Sequence, residues 1–273
     1  MSTVIETHNL TRVYQTYVKP EGLIASVQGL WNRQYNSKVA LAPTTLSIES
    51  GQIVGLVGAN GAGKTTLLKI LSGLITPSGG DARVLGYQPW QRKHEFLRQI
   101  SILLGQKNQL WWDISPMDSY ALLARIYDLD IDEARKKVEY LSKLLKCDHV
   151  LNTQLRRLSL GERMKMEIIG ALLHDPKVLF LDEPTIGLDI VAQEIIREFL
   201  SNYVKNKGPT VILTSHYMDD ISKLADSLLL ISKGHIVYQG TVEQFVKNSE
   251  KADNEEVDFE EVIHRFLQTE SRV

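Results

Sequence analysis

The fold of this chain is decided by the stretch QIVGLVGANGAGKTTLLKILSGL, residues 52–74. Its first part, residues 52–58, is an unbroken apolar run, which is typical of a strand buried on both faces. A glycine-rich turn follows, and KTTLLKILSGL then predicts a helix that ends near Gly73. Residues 58–65 match G-x-x-x-x-G-K-[ST] between that strand and that helix. The stretch therefore predicts a phosphate-binding loop.

The loop carries the groups that binding of phosphate requires. Glycines let the backbone curl so that successive N–H groups point at phosphate oxygens, and the helix N-terminus adds partial positive charge. We expect Lys64 to reach the terminal phosphates and Thr65 to place its hydroxyl on Mg²⁺. A chance glycine turn is the alternative, which the flanking strand and helix disfavour. The predicted contacts to the nucleotide are Gly58, Asn60, Gly61, Ala62, Gly63, Lys64, Thr65 and Thr66.

Two further buried strands end in polar residues. The strand KVLFLD, residues 177–182, ends in Asp182 and is followed by Glu183. Asp182 is predicted to hold Mg²⁺ through water and Glu183 to act as a general base toward an attacking water; a salt-bridged strand end is the alternative. The next strand ends in TSH, so the side chain of His216 can point at the same crevice. His216 is therefore a candidate catalytic residue, and a structural histidine is the alternative.

Strand-length apolar runs alternate with amphipathic helical segments along most of the chain, which predicts an α/β fold with a mainly parallel sheet. Further strands are expected at 210–215 and 227–232. The nearly all-helical pattern at about 107–173 predicts an inserted helical lobe, and the strand-like pieces before residue 48 predict an antiparallel β edge lobe. We expect one main domain at 1–247 that contains the phosphate-binding loop, with an amphipathic spacer at about 17–38, and a charged linker with a C-terminal helical tail at 248–273.

The composition limits the function. The 273 residues are 43% hydrophobic and 23% charged, and the net charge is −2. Without a basic excess, binding of nucleic acid is not expected. The single Cys147 excludes an intramolecular disulfide and a zinc cluster and is predicted to be a small buried residue. No signal peptide is recognised, and no apolar run approaches the ~20 residues needed to span a bilayer, so we expect a cytoplasmic protein.

The stretch RRLSLGERMKMEIIGALL, residues 156–173, leaves an alternative open. Ser159 and Glu162 have the three-residue spacing of a helix capping box. A helix N-terminus with free N–H groups is also an anion site. Ser159 therefore either caps its own helix, or faces a phosphate, or does both.

Together these motifs resemble the nucleotide-binding subunit of ABC transporters over about residues 3–246, in the order of that family. The Walker A motif corresponds to GANGAGKTT, the signature to LSLGE at 158–162, and Walker B to VLFLDEP. The other residues that the resemblance marks are the adenine-stacking Tyr14, the Q-loop Gln106, Asp189 at the end of the D-loop IGLD, and the switch residue His216.

The resemblance implies a P-loop ATPase that binds ATP and Mg²⁺, with catalytic residues Lys64, Glu183 and His216. It implies that Gln106 belongs to the Mg²⁺ site, with Thr65 and Asp182, and links it to a transmembrane partner. It also implies that two subunits close head to tail. The signature residues Ser159 and Gly161 and the D-loop residue Asp189 would then contact nucleotide. Two positions depart from the usual LSGGQ signature, namely Leu160 and Glu162.

The chain has one ATPase module, which favours the ATPase subunit of a transporter with a separately encoded permease. The spacer resembles insertions in ATPases paired with exporter-type permeases, and its apolar stripe fits a permease, an anionic lipid surface or the edge lobe. Trp111 and Trp112 are interpreted equally well as interface or core residues. Partners would be a second copy or a homologous subunit and an integral membrane permease, which would hold the chain on the inner face of the cell membrane. The alternative is a soluble ABC-type ATPase of the translation or DNA-repair type.

Overall fold

The computed structural model describes residues 2–17, 35–105, 107–250 and Ile263. The predicted spacer at 17–38 therefore lies mostly outside the described residues, as does most of the tail at 248–273. The strands are β1 (Thr3–Tyr17), β2 (Tyr35–Glu49), β3 (Ile53–Val57), β4 (Gly79–Val84), β5 (Ile100–Leu104), β6 (Val178–Asp182), β7 (Thr210–Thr214), β8 (Ser227–Ser232) and β9 (His235–Thr241). The helices are α1 (Lys64–Leu71), α2 (His94–Leu97), α3 (Pro116–Ile126), α4 (Ile131–Leu144), α5 (Leu160–Leu172), α6 (Ile190–Lys207), α7 (Met218–Leu224) and α8 (Val242–Glu250).

The larger sheet has six strands in the order β5-β6-β7-β3-β8-β9, all parallel except β9. Every residue of β3, β6 and β7 is buried, because parallel strands are covered on both faces. The four strands predicted from the apolar runs are thereby confirmed. Their order places the carboxyl ends of β6, β7 and β3 side by side, where ligands of α/β sheets bind.

The smaller sheet is antiparallel, in the order β2-β1-β4, which confirms the predicted edge lobe. The second half of β2 alternates between buried and exposed residues, as expected for a sheet with one face on the core. The register pairs Tyr14 on β1 with Lys38 on β2. This pairing brings an aromatic ring and an ammonium group to the end of the lobe.

The region between β5 and β6 is helical, as predicted, and consists mainly of α3, α4 and α5. Each of these helices has a side-chain cap. The Ser115 hydroxyl accepts from Asp118 N, the Asp130 carboxylate caps α4, and Ser159 with Glu162 forms a capping box on α5. The capping box predicted from the three-residue spacing is therefore confirmed.

Two details concern residues predicted to lie in or near the core. Cys147 is completely buried, and burial raises the pKa of its thiol to about 12, which confirms the predicted small buried residue. From the tail, Ile263 is buried within the same hydrophobic core. Within the described residues, no helix is long and apolar enough to cross a membrane.

The half-buried side chain of His174 provides a test of the packing between β5 and the helical lobe. Its Nε2 lies 2.9 Å from the carbonyl oxygen of Ile100, the ring stacks on Tyr127 at 3.9 Å, and Nδ1 is buried without a partner. Burial lowers the pKa of His174; Lys137 acts in the same direction, and the Ile100 carbonyl and Asp175 oppose it.

We therefore expect folding stability to fall as the pH drops below about 6.5, the unfolded pKa of histidine, and to level off below the folded pKa. The unfolded chain takes up the proton first, so acid favours unfolding, by at most about 1.4 kcal/mol per pH unit for one group. Urea unfolding midpoints at pH 7.5 and 5.5 measure this. His174→Gln keeps a donor for Ile100 without titrating, and it should lose less stability than wild type over that range. An equal loss in both proteins would contradict the assignment.

Candidate functional site

The glycine loop between β3 and α1 has backbone conformations that residues with side chains rarely adopt. Gly61 and Gly63 have φ of 78° and 117°, in the left-handed region that favours glycine. A Cβ on Gly63 would lie 2.5 Å from the carbonyl oxygen of Ala40, whereas one on Gly61 would meet nothing within 4 Å. Gly63 is the N-cap of α1 and has no side-chain cap. The first N–H groups of α1 are therefore left to bind an anion.

Lys64 lies inside this loop. Its Nζ donates to the carbonyl oxygens of Gly58 at 2.6 Å and Ala59 at 3.2 Å, and the residue is only 5% exposed. Burial lowers the pKa of Lys64, while the nearby Glu183 and Asp182 oppose that shift. The ammonium group is thus held by weak acceptors, for which phosphate oxygens are stronger replacements.

Asp182, at the end of β6, is held by hydroxyls from two other elements. Thr65 Oγ1 donates to Asp182 Oδ2 at 2.9 Å, and Thr214 Oγ1 donates to Asp182 Oδ1 at 2.7 Å. Carboxylate and hydroxyl oxygens are the ligands that Mg²⁺ prefers when most of its remaining positions are taken by water and phosphate. The set of oxygens around Asp182 therefore fits that ion.

Glu183 and His216 contact each other beside Asp182. His216 Nε2 lies 2.8 Å from Glu183 Oε1. The Glu183 N–H donates to the carbonyl and hydroxyl oxygens of Thr214 at 3.1 and 3.0 Å, and its φ of 57° is unusual for a residue with a side chain. Gly105 at the end of β5 allows this bend, since a Cβ there would lie 2.7 Å from the carbonyl oxygens of both Asp182 and Glu183.

Two clefts meet at these residues. One of about 240 Å³ is lined by Tyr14, Lys38, Ala40, Asn60, Gly61, Gly63, Lys64, Thr65, Thr66 and Glu183. A second of about 220 Å³ shares Thr65 and Glu183 and adds Lys69, Leu104, Gly105, Lys107 and Asp182. Larger clefts of about 440 and 420 Å³ lie elsewhere and take no lining residue from the glycine loop. Because phosphate chemistry needs that loop, the site lies at the smaller pair.

Tyr14 lies at the edge of the first cleft, half-buried. The Arg12 guanidinium lies 4.6 Å from the centre of its ring, and Arg12 also donates to the Thr76 carbonyl at 2.9 Å. An aromatic ring backed by a cation in this way is a firm stacking platform for a base.

The signature residues lie apart from both clefts. The Ser159 hydroxyl donates to Glu162 Oε2 at 2.8 Å and accepts from Glu162 N at 3.2 Å. Asp189 caps α6, because its carboxylate accepts from Ala192 N at 2.9 Å. A Cβ on Gly161 would lie 3.8 Å from Asp189 Oδ2. The signature and the D-loop of one chain thus form one surface, separate from its own glycine loop.

The structure thus brings together Tyr14, the glycine loop, Asp182, Glu183 and His216, and it does not bring Ser159, Gly161 or Asp189 to the same cleft. Gln106 lies outside the described residues. Sequence reasoning missed six residues that line the clefts, namely Lys38, Ala40, Lys69, Leu104, Gly105 and Lys107. It also missed Thr214, which donates to Asp182. Only Thr214 had a signal, since it is the residue before the TSH serine at the end of a predicted strand.

A strand that runs into an uncapped glycine loop, with two carboxylates at the end of another strand of the same sheet, defines a P-loop nucleotide-binding protein. A family model described as ABC transporter matches residues 41–186, more than half of the chain. The chain is 34% identical to the ABC transporter ATP-binding protein NatA of Bacillus subtilis (strain 168), over 78% of this chain and 87% of that protein. It is 32% identical to the Nod factor export ATP-binding protein I of Cupriavidus pinatubonensis, over 82% of this chain and 69% of that protein.

Solved structures share the fold. An ATP-binding subunit of an ABC transporter superposes with a TM-score of 0.76 at 23% identity, covering 96% of this chain and 98% of that one. A dimeric ATP-binding cassette in a post-hydrolysis state with ADP and phosphate gives 0.73 at 21% identity, covering 87% and 98%. The chain belongs to the ABC transporter family. It is an ATP-binding subunit with an ATPase domain.

Tyr14→Ala is expected to weaken ATP affinity by about 5- to 150-fold, since stacking on a base contributes roughly 1–3 kcal/mol. Phosphate chemistry at saturating ATP should change little. Titration with a fluorescent ATP analogue measures the affinity. Tyr14→Phe keeps the ring and should bind like wild type, and Tyr140→Ala removes an exposed tyrosine from a remote cleft as the control. Equal affinity in Tyr14→Ala and wild type would place the stacking aromatic elsewhere.

Proposed function

We propose that this chain hydrolyses ATP at the glycine-loop cleft and thereby drives a separately encoded membrane permease of an exporter. The observation that carries the catalytic part is the contact of Glu183 with His216 at the edge of the cleft that Lys64 lines. A general base must lie within reach of the proton that it removes and must be oriented by a further group. The position of Glu183 in the lining of the cleft and its contact with His216 support these two roles.

In the proposed reaction a water oxygen bonds to the γ-phosphorus while the bond to the β–γ bridging oxygen breaks, which yields ADP and phosphate. Glu183 accepts the proton of the water, and His216, donating from Nε2, holds that carboxylate in place. Lys64 stabilises charge on the phosphoryl oxygens. Mg²⁺ at Thr65 and Asp182, and at Gln106 by the resemblance, would neutralise charge on the β- and γ-phosphates.

The export direction and the permease rest on the relatives. One relative is named for Nod factor export, and a structure at 24% identity and TM-score 0.70 is titled as part of the transporter complex cbiONQ. In this chain Trp111 and Trp112 are each 42% exposed, and Arg163 lies 4.9 Å from the Trp112 ring. Exposed tryptophans beside an arginine are typical anchors of an interface. We therefore propose this surface as the permease contact, which would hold the chain peripherally on the inner face of the membrane.

Co-purification tests the permease. The full chain should co-purify with an integral membrane protein, and replacing both Trp111 and Trp112 with alanine should weaken that association without changing ATP binding. Recovery without any membrane protein, under detergent conditions that keep known complexes intact, would favour the alternative of an ATPase that is not coupled to transport.

A second copy, or a homologous subunit, is the proposed partner for the signature surface. Leu160 precedes Gly161 in the sequence, and Ile190 and Val191 follow Asp189. These three side chains are 43%, 75% and 69% exposed. An apolar patch around polar residues is typical of a binding surface. A head-to-tail dimer would place this patch and Ser159 over the glycine loop of the other subunit.

In the single chain the Ser159 hydroxyl donates its hydrogen bond to Glu162. For Ser159 to bind a γ-phosphate, the hydroxyl must rotate so that it donates to the phosphate instead. The two interpretations are separated by mixing variants. Lys64→Ala and Ser159→Arg should each be nearly inactive. If Ser159 acts across the dimer, a mixture contains dimers with one intact composite site, about one quarter of all sites after random exchange in a two-fold dimer. Partial recovery of ATP-dependent dimerisation and turnover is the expected result.

The matched control mixes Lys64→Ala with Glu183→Gln, whose lesions lie in the same half of the site and should not complement in turnover. Folding of each variant and subunit exchange are checked by circular dichroism and by labelled subunits. If Ser159→Arg gives no recovery while subunits exchange, Ser159 is a helix cap alone. That cap is worth about 0.5–2 kcal/mol of stability.

A further inference from the structure

The carboxylate of Asp220, on α7, is completely buried and binds donors from three other parts of the chain. Its Oδ1 accepts from Arg197 Nε at 2.5 Å. Its Oδ2 accepts from Ser215 Oγ at 2.5 Å and from the hydroxyl of Thr185. All three donors are themselves buried. Asp220 is thus a fully paired charge in the interior.

Two of the donors are close in sequence to the proposed catalytic pair. Thr185 is two residues after Glu183, and Ser215 immediately precedes His216. Ser215 also accepts from the N–H of Tyr217, the residue after His216, at 3.0 Å. One carboxylate therefore ties together the two backbone segments that carry Glu183 and His216.

The third donor extends the network to the D-loop. Arg197 Nη2 donates to Gln193 Oε1 at 2.9 Å. Gln193 Nε2 in turn donates to the carbonyl oxygen of Leu188 at 3.0 Å. Leu188 is the residue before Asp189. The segment from the end of β6 to the start of α6 is thus anchored near both of its ends on Asp220.

Stability alone is a poor explanation for this arrangement. A buried ion pair is often no more stabilising than well-packed apolar side chains of similar volume. The segment that it anchors contains Glu183 in a left-handed conformation, which surrounding contacts must impose. A displacement of about 1 Å at a reacting group costs about 10²-fold in rate, so fixing the backbone on both sides of the Glu183–His216 contact has a direct effect on turnover.

We infer that Asp220 is a positioning residue for ATP hydrolysis: it holds the segments of Glu183 and His216 in register and joins them to the D-loop. The inference rests on the catalytic roles proposed above. It assigns no contact of Asp220 with the nucleotide, because no side chain of the network lines either cleft.

Thr185→Val tests the positioning role of Asp220, because it removes one hydrogen bond to that carboxylate and leaves the shape of the side chain almost unchanged. The expected result is a fall in kcat of about 10- to 100-fold, with the affinity for a fluorescent ATP analogue within about twofold of wild type. Ser215→Ala should act in the same direction, and Asp220→Asn should have the largest effect. A role in folding alone would lower the melting temperature without separating kcat from affinity.

Thr7→Val is the matched control. Thr7 is also fully buried, its hydroxyl donates to the Thr44 carbonyl at 3.0 Å and accepts from Leu46 N at 3.0 Å, and it lies in the antiparallel sheet. It should lose at least as much stability as Thr185→Val while kcat stays at the wild-type value. Should Asp220→Asn fail to fold, the two hydroxyl variants decide the matter, because they leave the Arg197 pair intact.

A double-variant comparison separates this inference from the proposed function. In a Glu183→Gln background, Thr185→Val should give no further loss of the residual rate, since the group that it positions is already absent. Wild-type turnover in Thr185→Val and Ser215→Ala, with Glu183→Gln inactive, would overturn the inference and leave the function standing. Normal turnover in Glu183→Gln would instead remove the catalytic assignment on which the inference rests.

Discussion

Glu183→Gln is expected to stop ATP turnover while ATP still binds. The amide oxygen can still accept from His216 Nε2, which lies 2.8 Å from the carboxylate, so the shape of the site is retained. The amide cannot take a proton from water, and loss of a general base costs typically about 10²–10⁴-fold in rate. Phosphate release assays measure the rate, and a fluorescent ATP analogue measures the affinity.

The same variant should accumulate an ATP-bound dimer. A ligand that remains bound and favours one state stabilises that state by mass action. Size-exclusion chromatography with MgATP should therefore show Glu183→Gln at twice the monomer mass, and wild type mainly as monomer after turnover. Glu194→Gln changes an exposed carboxylate on α6 and should behave like wild type. Normal hydrolysis by a monomeric Glu183→Gln protein would contradict the assignment of the base.

Lys64→Ala is expected to abolish turnover and to weaken ATP binding by at least about 10-fold, since a hydrogen bond to a charged group contributes about 1.5–3 kcal/mol. The effect should be large because Nζ lies inside the loop, against the carbonyl oxygens of Gly58 and Ala59. Isothermal titration with ATP and a turnover assay measure the two quantities.

Lys69→Ala is the control for Lys64→Ala. Lys69 lies on the same helix and lines the neighbouring cleft, so its removal changes the net charge of the region equally. It should reduce affinity far less. If both variants lose the same affinity, the general positive potential of the region binds ATP, rather than the ammonium group held in the loop. Unchanged turnover in Lys64→Ala would remove the glycine-loop assignment.

The sequence predicted the parts of the site that are contiguous in the chain. β3, the glycine loop and α1 follow one another in the chain. The apolar run, the glycines and the amphipathic pattern were therefore enough to predict all three. Of the two hydroxyls that donate to Asp182, the sequence predicted only one. Thr65 belongs to a motif, but Thr214 reaches Asp182 only because β6 and β7 are neighbours in the sheet, and strand order is not written in local pattern.

The Ser159 question shows a different limit. The three-residue spacing predicted the capping box correctly, because both partners lie on one helical turn. The spacing could not show that the Ser159 hydroxyl donates its proton to Glu162, nor that the signature and the D-loop of one chain share a surface. The network around Asp220 was likewise invisible, since its members span residues 185–220 and meet only in the folded chain.

The position of β3 in the middle of the larger sheet has a consequence for synthesis on the ribosome. Its two neighbours are β7 and β8, which follow it by about 150 and 170 residues. At about 5–20 residues per second, roughly 8 to 35 s pass between the emergence of the glycine loop and that of its supporting strands. Through that interval β3 has neither of its neighbouring strands in the sheet. We therefore expect tight ATP binding to arise during translation only after β7 and β8 have emerged, and that interval is when β3 would need protection by chaperones.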